Sequence, residues 1–406
     1  MRKVWMMALP CLLVPLAAAA DPPATGTGFS GWRDASASLP VRQAPGHSMA
    51  AQAADIDQDG DLDLVIAMEF RANRLLLNDG RGRFTDASAR LPRQARDSEE
   101  VALADFDGDG DLDIAVANED DIRPELYLQQ ADGTFASADD RLPVRVKANA
   151  VVALDADGDG DTDLFFGGDQ VSVLVLNDGR AAFTDASRDW LPDTGAATQD
   201  VAVGDVDGDG DPDLLLGNED RNQLYLNDRP AGRFRLAPPA HLERPAAPEE
   251  TRDAELLDLD GDGDLDIVFA NVRMFSPAAT PGARVMLNAG GGYFVTAPAS
   301  WQMPPGRGYL SALPMMIPGE TAPALFMTTM PSGLSGPGMD GGVALFRVTG
   351  AGLEAVPNLL PAVQGTVPMD AIAADFDGDG KDDIFVSGRA GPDLLLLSGP
   401  VPPAGQ

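Results

Sequence analysis

The feature that most constrains this chain is a nine-residue acidic stretch that returns on a fixed period. Residues 105–113 read DFDGDGDLD, and the first aspartate of such a stretch recurs at Asp55, Asp105, Asp155, Asp205, Asp258 and Asp375. Successive gaps are 50, 50, 50, 53 and 117 residues, the last leaving room for two periods. Within that wide gap, residues 311–329 keep the apolar flanks but have lost the acids, with Met315, Ile317 and Gly319 in place of the first three. Counting this degenerate copy, the chain holds seven units. Self-similarity at such a period marks a repeat architecture rather than a set of unrelated domains.

Each unit runs in the same order. A short apolar run leads into the acidic loop, and a β-rich run such as DIAVAN follows. After a variable polar or Pro/Gly stretch comes RLLLND, ELYLQQ, VLVLND or QLYLND, and then an aromatic-led run, RFTDAS or AFTDAS, ending in Leu-Pro. These are four short β segments separated by turn residues. An open stack of such sheets would expose an edge at either end, whereas a closed ring leaves none of that kind. The termini fit a ring. The last unit stops after its third run, at 393–398, and GWRDASASLP at 31–40 aligns with RFTDASARLP at 83–92. The expected fold is all-β: a seven-bladed β-propeller with four-stranded antiparallel blades, the ring closed by the N-terminal strand in the last blade. It spans 31–398, with the closing strand at 31–40, the degenerate sixth blade at about 307–357, a linker at 21–30 and a flexible tail at 399–406.

The first twenty residues read differently. Arg2 and Lys3 precede an apolar stretch, and four alanines then meet Asp21, the pattern of a cleaved secretory signal peptide. A membrane anchor is the alternative, but a stretch this short, broken by Pro10 and Pro15, does not span a bilayer; lipoprotein processing at Cys11 is a weaker option. The expected location is secreted or periplasmic. The single cysteine, Cys11, would leave with the leader, so the mature chain enters an oxidising compartment without disulfides. Its formal charge of −35 excludes nucleic acid and anionic membrane surfaces as partners. No membrane insertion is expected after signal cleavage, and the molecule is read as a monomer.

Across the six intact loops, positions 1, 3, 5 and 9 are always aspartate, position 6 is always glycine and position 2 is always apolar. Calcium takes six to eight oxygens from carboxylates and carbonyls in a flexible loop, whereas magnesium wants a strict octahedron. Zinc or copper would call for histidine or cysteine, and only His47 and His241 are on offer. Two carboxylates ~5 Å apart repel by about 3 kcal/mol at an effective dielectric near 20, a load that a bound cation reverses. A solvated acidic turn would not need such invariance. The expected cofactor is calcium, about six ions. Its candidate residues are Asp55, Asp57, Asp59, Asp61 and Asp63; Asp105, Asp107, Asp109, Asp111 and Asp113; Asp155, Asp157, Asp159, Asp161 and Asp163; Asp205, Asp207, Asp209, Asp211 and Asp213; Asp258, Asp260, Asp262, Asp264 and Asp266; and Asp375, Asp377, Asp379, Lys381 and Asp383. Lys381 at position 7 implies that this position offers its backbone carbonyl. EF-hand loops share the opening but need an acid at position 12 and flanking helices. Position 12 here is Ile66, Val116, Phe166, Leu216, Phe269 or Val386.

A D-x-D-x-D-G-x-x-D loop between two blade strands, repeated around a ring, resembles the FG-GAP/VCBS repeats of integrin α-subunit N-terminal β-propellers and of many bacterial secreted proteins. The resemblance covers nearly all of the chain beyond the leader. It implies calcium in hairpin loops on one face, carried by positions 1, 3, 5, 7 and 9, and no metal in the sixth unit.

Recognition is then expected on the opposite face, where loops vary. Two long stretches there, 271–284 and 328–342, place Arg273, Phe275, Trp301, Arg307 and Tyr309 in or beside one sector. Aromatics with arginines suit an extracellular glycan or protein ligand; packing of long loops is the alternative. Glu100, Asp200, Asp253 and Asp370 each stand five residues before a loop and would ring one mouth of a central channel, either drawing in a cation or standing solvated. Neither GHSMA at 46–50 nor GTGFSG at 26–31 has the setting of a catalytic or phosphate-binding motif. The preferred function is a calcium-binding binding or adhesion module, and the alternative is a calcium-dependent polysaccharide lyase, which fold alone does not separate from a lectin.

Overall fold

The computed structural model describes residues 29–41, 46–120, 123–229, 232–245, 247–304, 306–330, 341–363 and 365–399. The expected leader, most of the linker, the tail beyond 399 and much of the long 328–342 stretch lie outside these residues.

The chain is all-β and forms multiple four-stranded antiparallel sheets, an arrangement consistent with a propeller. Among the described residues, five sheets hold four strands each, and a sixth holds eight. In the first repeat the strands are Ser48–Ala54, Asp63–Arg71, Arg74–Asn78 and Phe84–Asp86. The burial of each follows from its place in the sheet. Second strands such as Asp113–Asn118 are buried at every residue, because sheets pack on both of their faces, so an uninterrupted apolar run is tolerated. Fourth strands such as Phe84–Asp86 bury only the leading aromatic and leave the next two residues in solvent.

The apolar clusters lie between consecutive repeats rather than within them. One joins Phe106 and Ala115 of the second repeat to Phe166 and Phe183 of the third. Another joins Phe376 and Phe385 of the last repeat to Ile66, Leu76 and Phe84 of the first, with the Phe84 and Phe376 rings edge-on at 5.6 Å. Position 2 of every acidic loop feeds these clusters: Ile56, Phe106, Ala156, Val206, Leu259 and Phe376 are all buried.

The eight-stranded sheet arises where the first two repeats fuse. Asp63–Arg71 and Arg96–Ala104 are each nine residues long, and their ends pair as Glu69 with Asp97 and Arg71 with Arg96. Phe70 sits between those pairs at a φ of 57°. That is an uncommon conformation for a bulky residue, and a one-residue bulge of this kind turns the strand end.

The sixth repeat contains four strands, Gly308–Met316, Pro323–Met330, Gly342–Thr349 and Gly352–Ala355. Its register differs by one residue from the sequence alignment. Ala312 N–H donates to Asp253 as Ala254 N–H donates to Asp200, which puts Met316, not Met315, at loop position 1. Ile317 is then the buried position-2 residue. The alignment slipped because no acids remained to anchor it.

The N-terminal segment Trp32–Asp34 pairs with Leu394–Ser398, a partner more than 350 residues away. Trp32 is 3% exposed, packs with Met315, Ile317, Phe326 and Ile384, and donates its indole N–H to the Asp382 carbonyl at 2.8 Å. Trp32→Ala should therefore cost about 3–5 kcal/mol; urea unfolding followed by tyrosine and tryptophan fluorescence checks it, and a loss below ~1 kcal/mol would contradict this packing.

Candidate metal centres

Each acidic loop is a hairpin between a first and a second strand, and its aspartates divide the work. Position 9, the first residue of the second strand, is fully buried in all six copies. Its Oδ2 accepts the N–H of position 2 at 2.9–3.0 Å. Its Oδ1 accepts an N–H from the end of the third strand at 2.6–2.8 Å. Position 5 accepts the N–H of position 7 at 2.9–3.1 Å in every copy. Position 1 accepts the N–H of glycine 6 in most copies, as in Gly110 to Asp105 at 3.0 Å. Glycine 6 has φ between 80° and 97°, the left-handed region that a Cβ penalises. At position 4 the first copy has Gln58 at φ 60°; its Nε2 donates to Asp111 Oδ1 of the next loop at 2.7 Å.

The structure brings positions 1, 3 and 9 together. In the first four copies, Asp55, Asp57 and Asp63, then Asp105, Asp107 and Asp113, then Asp155, Asp157 and Asp163, then Asp205, Asp207 and Asp213, present carboxylate oxygens within 4.8 Å of one another. Position 7 turns its side chain elsewhere: Asp111 accepts from Gln58, Asp211 pairs with Arg229 at 3.2 Å, and Lys381 pairs with Asp379. The donor set fits a hard cation. Position 3 leaves a buried oxygen without a hydrogen-bond partner in Asp107, Asp207 and Asp377. Burial pushes the position-9 carboxyls up, Asp63 and Asp266 to about 6 and Asp113, Asp163, Asp213 and Asp383 to about 7. Position 3 is raised as well, by burial and by the carboxylates beside it. Concentrated negative charge with an unmatched oxygen is what an oxygen-coordinated divalent ion relieves.

One set of residues in these loops was not identified from the sequence. Asn78, Gln129, Asn177, Asn227 and Asn288 each stand at or beside the end of a third strand, and each sends its side-chain amide to the position-2 carbonyl of a loop in the preceding repeat. The distances run from 2.8 to 3.2 Å. Asn78 reaches Phe376 in this way, joining the first repeat to the last. The recurring Asn-Asp after the third strand was the available signal.

A model of the FG-GAP-like repeat matches residues 55–116, 105–166, 155–216 and 205–269, together more than half of the chain. The chain belongs to the FG-GAP-like repeat family. Among solved structures, this FG-GAP protein is similar to BBS1N in complex with ARL6DN, soaked with mercury. The identity is 12%, the match covers 93% of this chain and 99% of that one, and the TM-score is 0.54. The lead-soaked crystal of the same complex, with equal identity and coverage, gives 0.50. A lectin of Agrocybe aegerita, described by its recognition of non-reducing terminal N-acetylglucosamine, aligns at 16% identity over 88% of this chain and 86% of its own, with a TM-score of 0.47. At these identities the likeness concerns the fold alone. No curated protein matches the sequence, and no helix among the described residues is long and apolar enough to cross a membrane.

Outside the loops, Trp301 and Tyr309 are 7% and 1% exposed and pack among Leu257, Val268 and Met327. They serve the core between repeats, correcting the expectation that they face a partner. Arg273, Phe275 and Arg307 are exposed. Phe275 lies under the Arg252 guanidinium at 5.0 Å, and its loop is held by Glu250, whose carboxylate accepts the N–H groups of Met274, Phe275 and Ser276.

The four acids that open first strands are half-buried, and none is free. Each accepts a backbone N–H from the first strand of the next repeat: Glu100 from Val151 at 3.0 Å, Asp200 from Ala254 at 2.8 Å, Asp253 from Ala312 at 3.3 Å and Asp370 from Ala51 at 3.4 Å. Glu255, unforeseen in the sequence, joins them. Burial first, and mutual repulsion second, hold Glu100, Asp253 and Glu255 well above the usual carboxylate range, and Asp370 is pushed up to about 7, mainly by burial. A carboxyl that holds its proton more tightly when folded contributes stability below its unfolded pKa, and that contribution is lost as pH rises through the folded value. In saturating calcium, the parent's melting temperature should therefore fall relative to that of Asp370→Asn between about pH 5 and about pH 8. Parallel curves from scanning calorimetry would contradict this.

Proposed function

We propose that this FG-GAP protein is an exported, calcium-stabilised propeller of seven blades that serves as a binding or adhesion module for a glycan or protein ligand. The observation that carries the calcium reading is the recurring trio of carboxylates at positions 1, 3 and 9, with an unmatched buried oxygen at position 3. Three contacts support a closed ring. Pro368–Ala374 lies against Ser48–Ala54, Trp32–Asp34 adds to the last sheet, and Asn78 bonds to the Phe376 carbonyl. The sixth repeat has no acidic loop, so about six ions would occupy the repeats.

The ligand would be met on the face opposite the metal loops. There the exposed Arg273 and Phe275 stand on the loop that Glu250 holds in place, and Arg307 is exposed just before the first strand of the sixth repeat. Phe275, 64% exposed, is the large aromatic surface of that sector. Aromatic faces beside guanidinium groups provide stacking and charge-assisted hydrogen bonds.

Three measurements test this reading. Each loop site held at a hundredfold excess of calcium over its dissociation constant adds about 2.7 kcal/mol, so EDTA should lower the melting temperature by roughly 10 °C or more. Asp107→Asn should bind one calcium fewer than the parent by elemental analysis, and an unchanged count would remove calcium from that loop. On a glycan array, Arg273→Ala with Phe275→Ala should lose at least tenfold in affinity, a cost of about 1.4 kcal/mol, for whatever glycan the parent retains. Equal retention would place recognition elsewhere.

A further inference from the structure

At the end of the molecule away from the metal loops, the fusion of the first two repeats sets Glu69 directly opposite Asp97 in an antiparallel pair. Like charges facing each other across two strands are destabilising. Here both are buried, each 5% exposed. Glu99, two residues further along the same strand, completes a trio whose carboxylate oxygens lie within 4.8 Å of one another. Glu69 is partly answered: Arg389 Nε donates to its Oε2 at 3.0 Å, Arg389 Nη2 to its Oε1, and His47 Nδ1 lies 2.9 Å from Oε2.

The other two acids are not fully answered. Asp97 Oδ1 and Glu99 Oε1 are buried and have no hydrogen-bond partner. A buried, unpartnered carboxylate oxygen costs several kcal/mol unless a proton or a cation meets it. Nor do the neighbours supply enough positive charge. Glu119 adds a further negative charge acting on both Asp97 and Glu99, and Arg389 is already committed to Glu69.

We propose that Glu69, Asp97 and Glu99 form a binding site for one hard divalent cation of the calcium class, separate from the repeat loops and on the opposite end of the sheets. The donors are oxygens throughout, which suits calcium over zinc or copper. Unlike the loop sites, this one draws ligands from two repeats. It bridges the second strand of the first repeat and the first strand of the second, and so acts as a clamp on the fused sheet. The Phe70 bulge lies next to Glu69 and sets the direction of that strand end.

The test is made on the full chain in ~1 mM calcium, the range in which extracellular modules are filled. Asp97→Asn combined with Glu99→Gln keeps shape and hydrogen-bonding capacity while removing the charge. After equilibrium dialysis, elemental analysis should show one calcium fewer per chain than the parent. Asp107→Asn, run alongside, reports on the loop sites independently, so failure of one class of site is distinguishable from failure of the other. An unchanged count in the double variant overturns the proposal. Should that variant not fold, parent crystals soaked in terbium decide the matter. An anomalous peak among the three carboxylates supports the site, and its absence, or a bound basic side chain of a partner there instead, overturns it.

Discussion

The interaction on which the rest depends is the pair of hydrogen bonds made by the ninth aspartate of each loop. One carboxylate oxygen holds the N–H of position 2 and the other holds the end of the third strand. A single side chain thus fixes the loop to its own hairpin and pins three strands at one point. Charge-assisted bonds of this kind are short and strong, but they require an ionised group in a place that water does not reach. The same burial that makes the clasp effective pushes the carboxyl up toward about 7. A cation beside positions 1 and 3 would resolve this conflict by stabilising the ionised form on which the clasp relies.

From that point the restraint passes to the next repeat. The strand end held by the ninth aspartate carries the asparagine or glutamine whose amide reaches back to the preceding loop. Its acceptor is the carbonyl of position 2, the residue whose side chain fills the cluster between the repeats. Acidic loop, hydrogen-bond clasp and apolar cluster therefore meet at one residue, so a disturbance in one loop is felt by its neighbour. The sixth repeat shows what replaces the arrangement when the acids are gone. Asp382 of the last repeat accepts the Met316 N–H at 2.9 Å, and Glu320 in the sixth hairpin pairs with Arg347 at 2.6 Å. An ion pair between side chains takes the place of a carboxylate cluster.

Much of this was legible in the sequence, and the reason is physical. A repeat buries its faces against copies of itself, so the same constraint is written many times and a single chain supplies its own comparison. The period, the apolar second position and the likeness of 31–40 to an outer strand all survive that comparison. What escaped is unique to one place or depends on register. Glu250 caps one loop, and the carboxylate pair beside the Phe70 turn, Glu69 opposite Asp97, is not repeated at the corresponding Asp169–Ala197 bridge beside Gln170 in the third repeat. Met316 could not be told from Met315 without acids to count from. Trp301 and Tyr309 were placed by residue type near a long loop, yet type does not say whether an aromatic faces solvent or the next sheet; burial between the fifth and sixth repeats decided it.

The two ends of the sheets carry negative charge for different structural reasons. At the loop end, carboxylates cluster at positions 1, 3 and 9 in a set that could hold a metal ion, and the cluster is repeated from unit to unit. On the first strands, Glu100, Asp200, Asp253 and Asp370 each take a backbone N–H from the next first strand, using charge to join repeats. Those bonds exist because the first strands leave most of one edge without a strand partner, and buried N–H groups need acceptors. A carboxylate can supply one from a short side chain without adding bulk between the first strands. Crowding several into a confined space raises their proton affinity, which limits how many repeats can use the device. Ala50, Ala150 and Ser311 occupy the corresponding position in the other repeats. Four acids at seven positions reads as a balance between closing the inner edge and the repulsion of doing so with charge.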